Sequence, residues 1–174
     1  DDVLERTGTV TIDTALKQLP QFVASTGSTT NSDGNGGQAN IQLRGLGRQR
    51  TLVLLDGRRL PAANSDGSID LNMIPTALVG NVEVITGGAS AVYGSDAIAG
   101  VVNIRTKDNF EGAQLSLQYG LAEEGHAEDY KIDLLFGGDF DNERGSTLFA
   151  LEYANRDPVF VADRDFTEGA NRDS

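Results

Sequence analysis

No cysteine occurs among the 174 residues, so neither a disulfide framework nor a thiolate metal site is open to this chain. The single histidine, His126, excludes a multi-histidine metal centre and leaves any serine–histidine mechanism dependent on one residue. Basic side chains are scarce, 14 Lys and Arg against 26 Asp and Glu for a formal net charge of −12. Nucleic acid is therefore not an expected partner, because phosphate contacts need clustered cations. Long apolar runs are missing too: "LVLL" at 52–55 is far short of the roughly 20 residues of a membrane helix. The opening "DDVLERTG" is charged and lacks an apolar centre, so it does not read as a signal peptide. The chain reads as mature protein or as an excised piece.

Glycine, by contrast, is abundant at 21 residues. That favours turns, close backbone approaches and strands over long helices. With 39% hydrophobic and 23% charged residues a buried core is expected. Charge is unevenly spread: residues 1–110 hold 11 acidic and 9 basic side chains, whereas 111–174 hold 15 and 5. Two regions in different surroundings follow from that contrast.

In the first region "TVTIDTALKQLPQFV" predicts one short helix. Thr11 suits its N-cap, Asp13 its first turn, and Ile12, Ala15, Leu16 and Leu19 form an apolar stripe ended near Leu19 by Pro20. Residues 25–40 are polar and glycine-rich, an exposed loop. "ANIQLRGLGRQRTLVLLDGRRL" predicts strand, loop, buried strand, tight Asp56-Gly57 turn and strand. "PAANSDGS" is a second exposed loop, Asp70 can cap a short turn, and Pro75 suits the first position of a helix. "NVEVIT" and "GVVNIRTK" are further strands.

The second region alternates with period two. Leu115, Leu117 and Tyr119 share one face; so do Tyr130, Ile132, Leu134 and Phe136, and Thr147, Phe149, Leu151 and Tyr153. "DFDNERG" supplies a hairpin turn between the last two segments. Transmembrane β-barrel strands have this pattern, and so does a soluble half-buried meander. Alternation by itself favours the soluble reading.

Most motifs that could carry chemistry fail on their own terms. "GLGRQR" has Arg50 where a dinucleotide fingerprint needs glycine, and it leads into a strand. "GASAV" lacks the final glycine of a nucleophile elbow around Ser90. "DGNGG" lacks the carboxylates of a calcium loop, with Arg44 where the closing glutamate would fall. One cluster stands out in an acidic chain: Arg44, Arg48, Arg50, Arg58 and Arg59. It fits a solvated strand edge, pairing with acidic groups of a surrounding structure, or attraction of an anionic ligand.

Taken in order, "IQLRGLG", "RTLVLLDGRRL" and "IDLNMIPTALVGNVEVITGGASAVYGSDAIAGVVNIRTK" resemble the plug domain of TonB-dependent outer-membrane receptors over residues 41–107, with lesser support from the helix at 11–19. The resemblance implies an α+β chain. Residues 1–108 would be a plug with a small mixed β-sheet and short helices. Residues 109–174 would be antiparallel strands from the start of a 22-stranded transmembrane β-barrel, truncated here. It reverses the preference for a soluble meander, although a soluble secreted β-rich binding module stays as the alternative.

The implied function is a gate for TonB-energised uptake of a scarce large nutrient (siderophore, cobalamin or oligosaccharide) at the cell outer membrane, with the plug reached from the periplasm. No enzyme activity, cofactor or metal is implied. TonB would bind an upstream segment, since its box is not recognisable in "DDVLERTG". The other expected partners are the nutrient, outer-membrane lipid and, for the isolated fragment, further copies of itself.

Plug–barrel anchoring falls by resemblance to Arg44 and Glu83. Arg44 carries more of it because Thr86-Gly87-Gly88 replaces the family's Arg-Gly-Pro, whose arginine pairs with barrel glutamates. Substrate-contact candidates are Arg48, Gln49, Arg59, Asn64, Ser65 and Asp66. Asp56, Gly57, Ser90, Tyr93, Gly94, Gly100 and Asn103 form the structural motif. Small residues let 87–100 pack as a turn-helix-turn on the sheet, Tyr93 fills space and Ser90 caps backbone.

Overall fold

The computed structural model describes residues 11–23, 37–108, 110–121, 128–140 and 145–156. Two sheets organise them. The first has strands β1 (Thr51–Leu55), β2 (Arg58–Arg59), β3 (Val79–Ile85) and β4 (Gly100–Thr106) in the order β2-β1-β4-β3. β1 and β4 are parallel and the other pairs antiparallel, so the sheet is mixed.

Both faces of its central pair are covered, which is why β1 reads "TLVLL" without alternation. Val53, Val102 and Ile104 face a larger core with Ile12, Phe22, Leu43, Leu71 and Ile74. Leu52, Leu54 and Val101 face a smaller one closed by Ala89, Ala97 and Tyr93. The alanine-rich stretch is thus a packing element: alanines bring backbone close to the sheet where larger side chains would hold it away.

The hairpin after β1 is a two-residue turn with Asp56 at φ 49° and Gly57 at φ 76°. Two positive φ values define the turn whose twist matches the strands. The Asp56 carboxylate accepts from the Thr106 N–H and hydroxyl, each at 2.9 Å, tying the hairpin to the end of β4. Gly100 opens β4 at φ 140°, and a Cβ there would stand 2.5 Å from the Ile85 carbonyl oxygen.

Three local expectations differ from the structure. Helix α1 (Ile12–Leu16) stops a turn before Leu19. Its end tightens into Gln18 N–H to Ala15 and Leu19 N–H to Leu16 bonds, as the approach to Pro20 requires. Thr11 stands at the N-cap, but its hydroxyl bonds the Thr14 hydroxyl at 2.7 Å instead of a backbone N–H. Residues 41–44 form no strand, only one bridge between Phe22 and Leu43. Positive φ at Arg44 and Gly45 turns the chain out of extended geometry at once.

The second sheet is an antiparallel run of β5 (Gly112–Leu121), β6 (Glu128–Asp139) and β7 (Ser146–Arg156). The expected hairpin between β6 and β7 closes through a 2.8 Å bond from Phe140 N–H to the Gly145 oxygen, with 141–144 outside the described residues. Register places Leu117, Ile132 and Tyr153 in one row and Leu115, Leu134 and Leu151 in the next. These apolar rows are exposed, Leu117 at 70% and Leu151 at 56%, whereas Lys131, Asp133 and Leu135 on the opposite face of β6 are buried. The sheet turns its charged side inward and its apolar side outward, the reverse of a soluble meander.

Candidate functional site at the junction of the two sheets

The first sheet meets the second at Thr76. Pro75, at φ −56° and ψ 129°, delivers the chain into a short 3-10 turn at Thr76–Leu78. The N–H groups that open such a turn have no partner within it. Thr76 N–H donates instead to Glu152 Oε2 on β7 at 2.7 Å, and the Thr76 hydroxyl lies 3.0 Å from the same oxygen. Lys131 Nζ donates to the Thr76 hydroxyl and lies 3.1 Å from Glu152 Oε2 and 3.4 Å from Asp133 Oδ1.

Electrostatics explains this grouping. Asp133 and Glu152 are direct cross-strand partners, an arrangement that like charges destabilise. The Lys131 ammonium sits between them. Its side chain is only 2% exposed, a costly position for a cation without compensating anions. Each charge requires the others; Thr76 adds its hydroxyl and N–H to Glu152 and Lys131, while Asp133 Oδ1 is buried without a hydrogen-bond partner among the described residues.

The expected anchoring residues lie elsewhere. Arg44 is exposed at φ 55° and makes no ion pair among the described residues. Glu83, on β3, accepts from Asn103 Nδ2 at 3.0 Å, and Asn103 Oδ1 accepts the Gly57 N–H at 2.9 Å. Asn103 therefore joins the hairpin to β3 across β4.

Three substrate-contact candidates come together. Asp66 accepts from Arg48 Nε at 2.9 Å, from Ser68 N–H at 3.0 Å and from the Ser68 hydroxyl at 2.6 Å. Asn64 and Gln38 exchange two amide hydrogen bonds of 2.7 and 3.0 Å. Residues 61–68 thus form a hydrogen-bonded knuckle, mostly exposed as expected, with Ser68 buried. The Ser68 side-chain and backbone bonds, with Arg48 adding to them, hold the Asp66 carboxyl below its ordinary value. Gln49, next to Arg48, and Ser65, within the knuckle, are exposed. Arg59 is drawn away from it: its guanidinium donates to Asp96 Oδ2 and to the Tyr93 oxygen, both at 2.6 Å. The Arg59 bond holds the Asp96 carboxyl low as well.

In the motif at 87–100, Tyr93 packs on the smaller core as expected, and Gly94 takes φ 88° at the end of helix α2 (Ser90–Tyr93). Ser90 is a correction. It is exposed, and its hydroxyl caps nothing among the described residues, because the N-cap position belongs to Ala89. His126 and most of the calcium-like "DGNGG" lie outside the described residues.

Sequence reasoning missed Thr76, Lys131 and Glu152. The available signal was the charged pair Lys131 and Asp133 on the polar side of an otherwise apolar alternation, since a sheet whose apolar side is exposed must bury its charged side. The family described as TonB-dependent Receptor Plug Domain matches residues 1–101. The chain belongs to the TonB-dependent receptor plug family, a component of outer-membrane transport receptors.

Proposed function

We propose that residues 1–108 gate an outer-membrane active transporter and that residues 109–174 begin the barrel wall around that gate. The observation carrying this reading is the orientation of β6: Tyr130, Ile132, Leu134 and Phe136 point outward, while Lys131 and Asp133 point to the plug. A wall in lipid needs the first face and a plugged lumen needs the second. A soluble secreted binding module would leave the apolar rows in water.

In this reading TonB engages a segment upstream of α1 from the periplasm, and the plug shifts to pass a siderophore, cobalamin or oligosaccharide. Arg44 and Glu83 serve as further anchors to wall segments beyond β7. Arg48, Gln49, Asn64, Ser65 and Asp66 face the cargo, with Arg59 beside them once its Asp96 contact opens. Away from lipid, the exposed apolar rows and the edges of β5 and β7 drive self-association. Light scattering of the 174-residue chain in buffer and in detergent tests that point; a monomer in both contradicts it.

Transport itself is tested by expressing the full receptor in cells lacking their own receptors. Uptake of labelled ferric siderophore, cobalamin and oligosaccharide is followed with and without a protonophore. Protonophore-sensitive uptake of one of the three supports the gate. A receptor that inserts in the membrane yet takes up none of them, or takes one up unaffected by the protonophore, contradicts it.

A further inference from the structure

Among the described residues, the charges placed at the junction stand on the strand wall, Lys131 and Asp133 on β6 and Glu152 on β7. The plug meets them with the hydroxyl and main-chain N–H of Thr76, both uncharged. We propose that Lys131, Asp133 and Glu152 form a latch that seats the plug through uncharged groups, so that the turn at Thr76–Leu78 leaves and returns without separating an ion pair.

The contrast is with a plug-borne cation on a wall carboxylate. Parting such a pair strands two charges, and a buried charge left alone is strongly unfavourable. Withdrawing Thr76 leaves the wall compensated: Glu152 keeps Lys131 at 3.1 Å, and Lys131 keeps Asp133 at 3.4 Å. Water takes over the positions of the Thr76 hydroxyl and N–H, an exchange of hydrogen bonds for hydrogen bonds. Seating then depends on directed donors and acceptors at one residue, and only weakly on long-range Coulomb attraction. Thr76 also stands at the start of the turn that leads into β3, so its position sets the register of the sheet edge against the wall. Lys131, Asp133 and Glu152 act here as positioning residues.

The latch rests on the reading of the first sheet as a movable plug. Its test involves no transport step, so the two can fail separately. The purified full-length receptor in detergent is followed by amide hydrogen exchange at residue 76. Heat-modifiable gel mobility confirms that each variant's barrel is folded. Raising salt from about 0.05 to about 0.5 M should change that exchange by less than about twofold, because the wall charges compensate one another at short range and within the plug's shelter. Glu152→Ala should speed it at least roughly tenfold by removing the acceptor of the amide itself. Thr76→Val, which removes the hydroxyl that accepts from Lys131 but leaves every wall charge in place, should speed it several-fold, and Thr76→Ser should restore it. A tenfold or greater acceleration by salt overturns the proposal, since seating would then be ionic. So does unchanged exchange in Glu152→Ala or Thr76→Val.

Discussion

Gly100→Ala tests whether the start of β4 is fixed by close approach or merely by turn preference. At φ 140° the new Cβ would lie 2.5 Å from the Ile85 oxygen and 2.8 Å from Leu43 Cδ1. The leucine end can rotate away. The carbonyl cannot, because Ile85 is paired with Val101 in the β3–β4 ladder and any retreat opens that pair. The strained φ contributes about 1–3 kcal/mol and the forced repacking a further 1–3, so roughly 4 kcal/mol in all. That corresponds to about a thousandfold faster opening of the β3–β4 ladder. Gly57→Ala is the control, since its φ of 76° carries the strain but no atom lies within 4 Å of the added Cβ. It should accelerate opening only about tenfold. Amide exchange of Val101, Val102 and Asn103 in the folded receptor reads both variants. Equal protection in the two would show that the clash is absorbed cheaply and that the close approach does not fix β4.

Asp56→Ala removes two 2.9 Å bonds to Thr106 and should destabilise the hairpin by about 1–3 kcal/mol, read as faster proteolysis at 56–59, with Asp56→Asn losing less. The knuckle at 61–68 should loosen in acid. The Asp66 carboxyl titrates below its ordinary value of 3.8 in the folded chain, so its contribution is complete above that value and lost as pH falls through the lower, folded one. Exchange of the Ser68 amide should rise over that acid window and lose its pH step in Asp66→Asn; a step that persists would place the titration elsewhere. On the wall, Leu134→Arg puts a charge on the outward face and should lower folding in vesicles by about 2–4 kcal/mol, whereas Ser116→Arg on the opposite face of β5 should have much less effect. Similar losses at both positions would contradict the outward-facing assignment.

Local chemistry carried much of the fold. The Asp56-Gly57 turn could be read because few residue pairs accept two positive φ values in succession, and the structure has both. Asp70 could be read as a cap, and its Oδ1 accepts the Asn72 N–H at 3.1 Å. Its second bond, from Ala39 N–H at 2.9 Å, joins segments 31 residues apart and no local pattern announces it. The missing strand at 41–44 has the same origin. Ile41 and Leu43 alternate as a strand should, but Leu43 N–H is taken by the Thr51 hydroxyl at 3.1 Å while Arg44 turns the chain. Tertiary partners there outweighed an alternation of two apolar residues.

The junction was harder to see, for a reason specific to charge. Period-two alternation says that two faces differ and leaves open which one meets water. For β6 the inward face carries Lys131 and Asp133, so assigning hydrophobic residues to the interior would invert the sheet. Burial of an ammonium at 2% exposure makes sense only beside Asp133 and Glu152, and Glu152 becomes its neighbour through the Asp133–Glu152 register of a different strand. Thr76 is 76 residues from Glu152 and differs in no local way from any other threonine after a proline. Arg44, a guanidinium preceding a glycine, drew attention because charge in an anchoring role is expected on the plug. In the described structure the charge at the junction is on the wall, and the plug answers it with a hydroxyl and an N–H. Uncharged partners leave no compositional trace, so a site built this way is visible only once strand register and sheet docking are known.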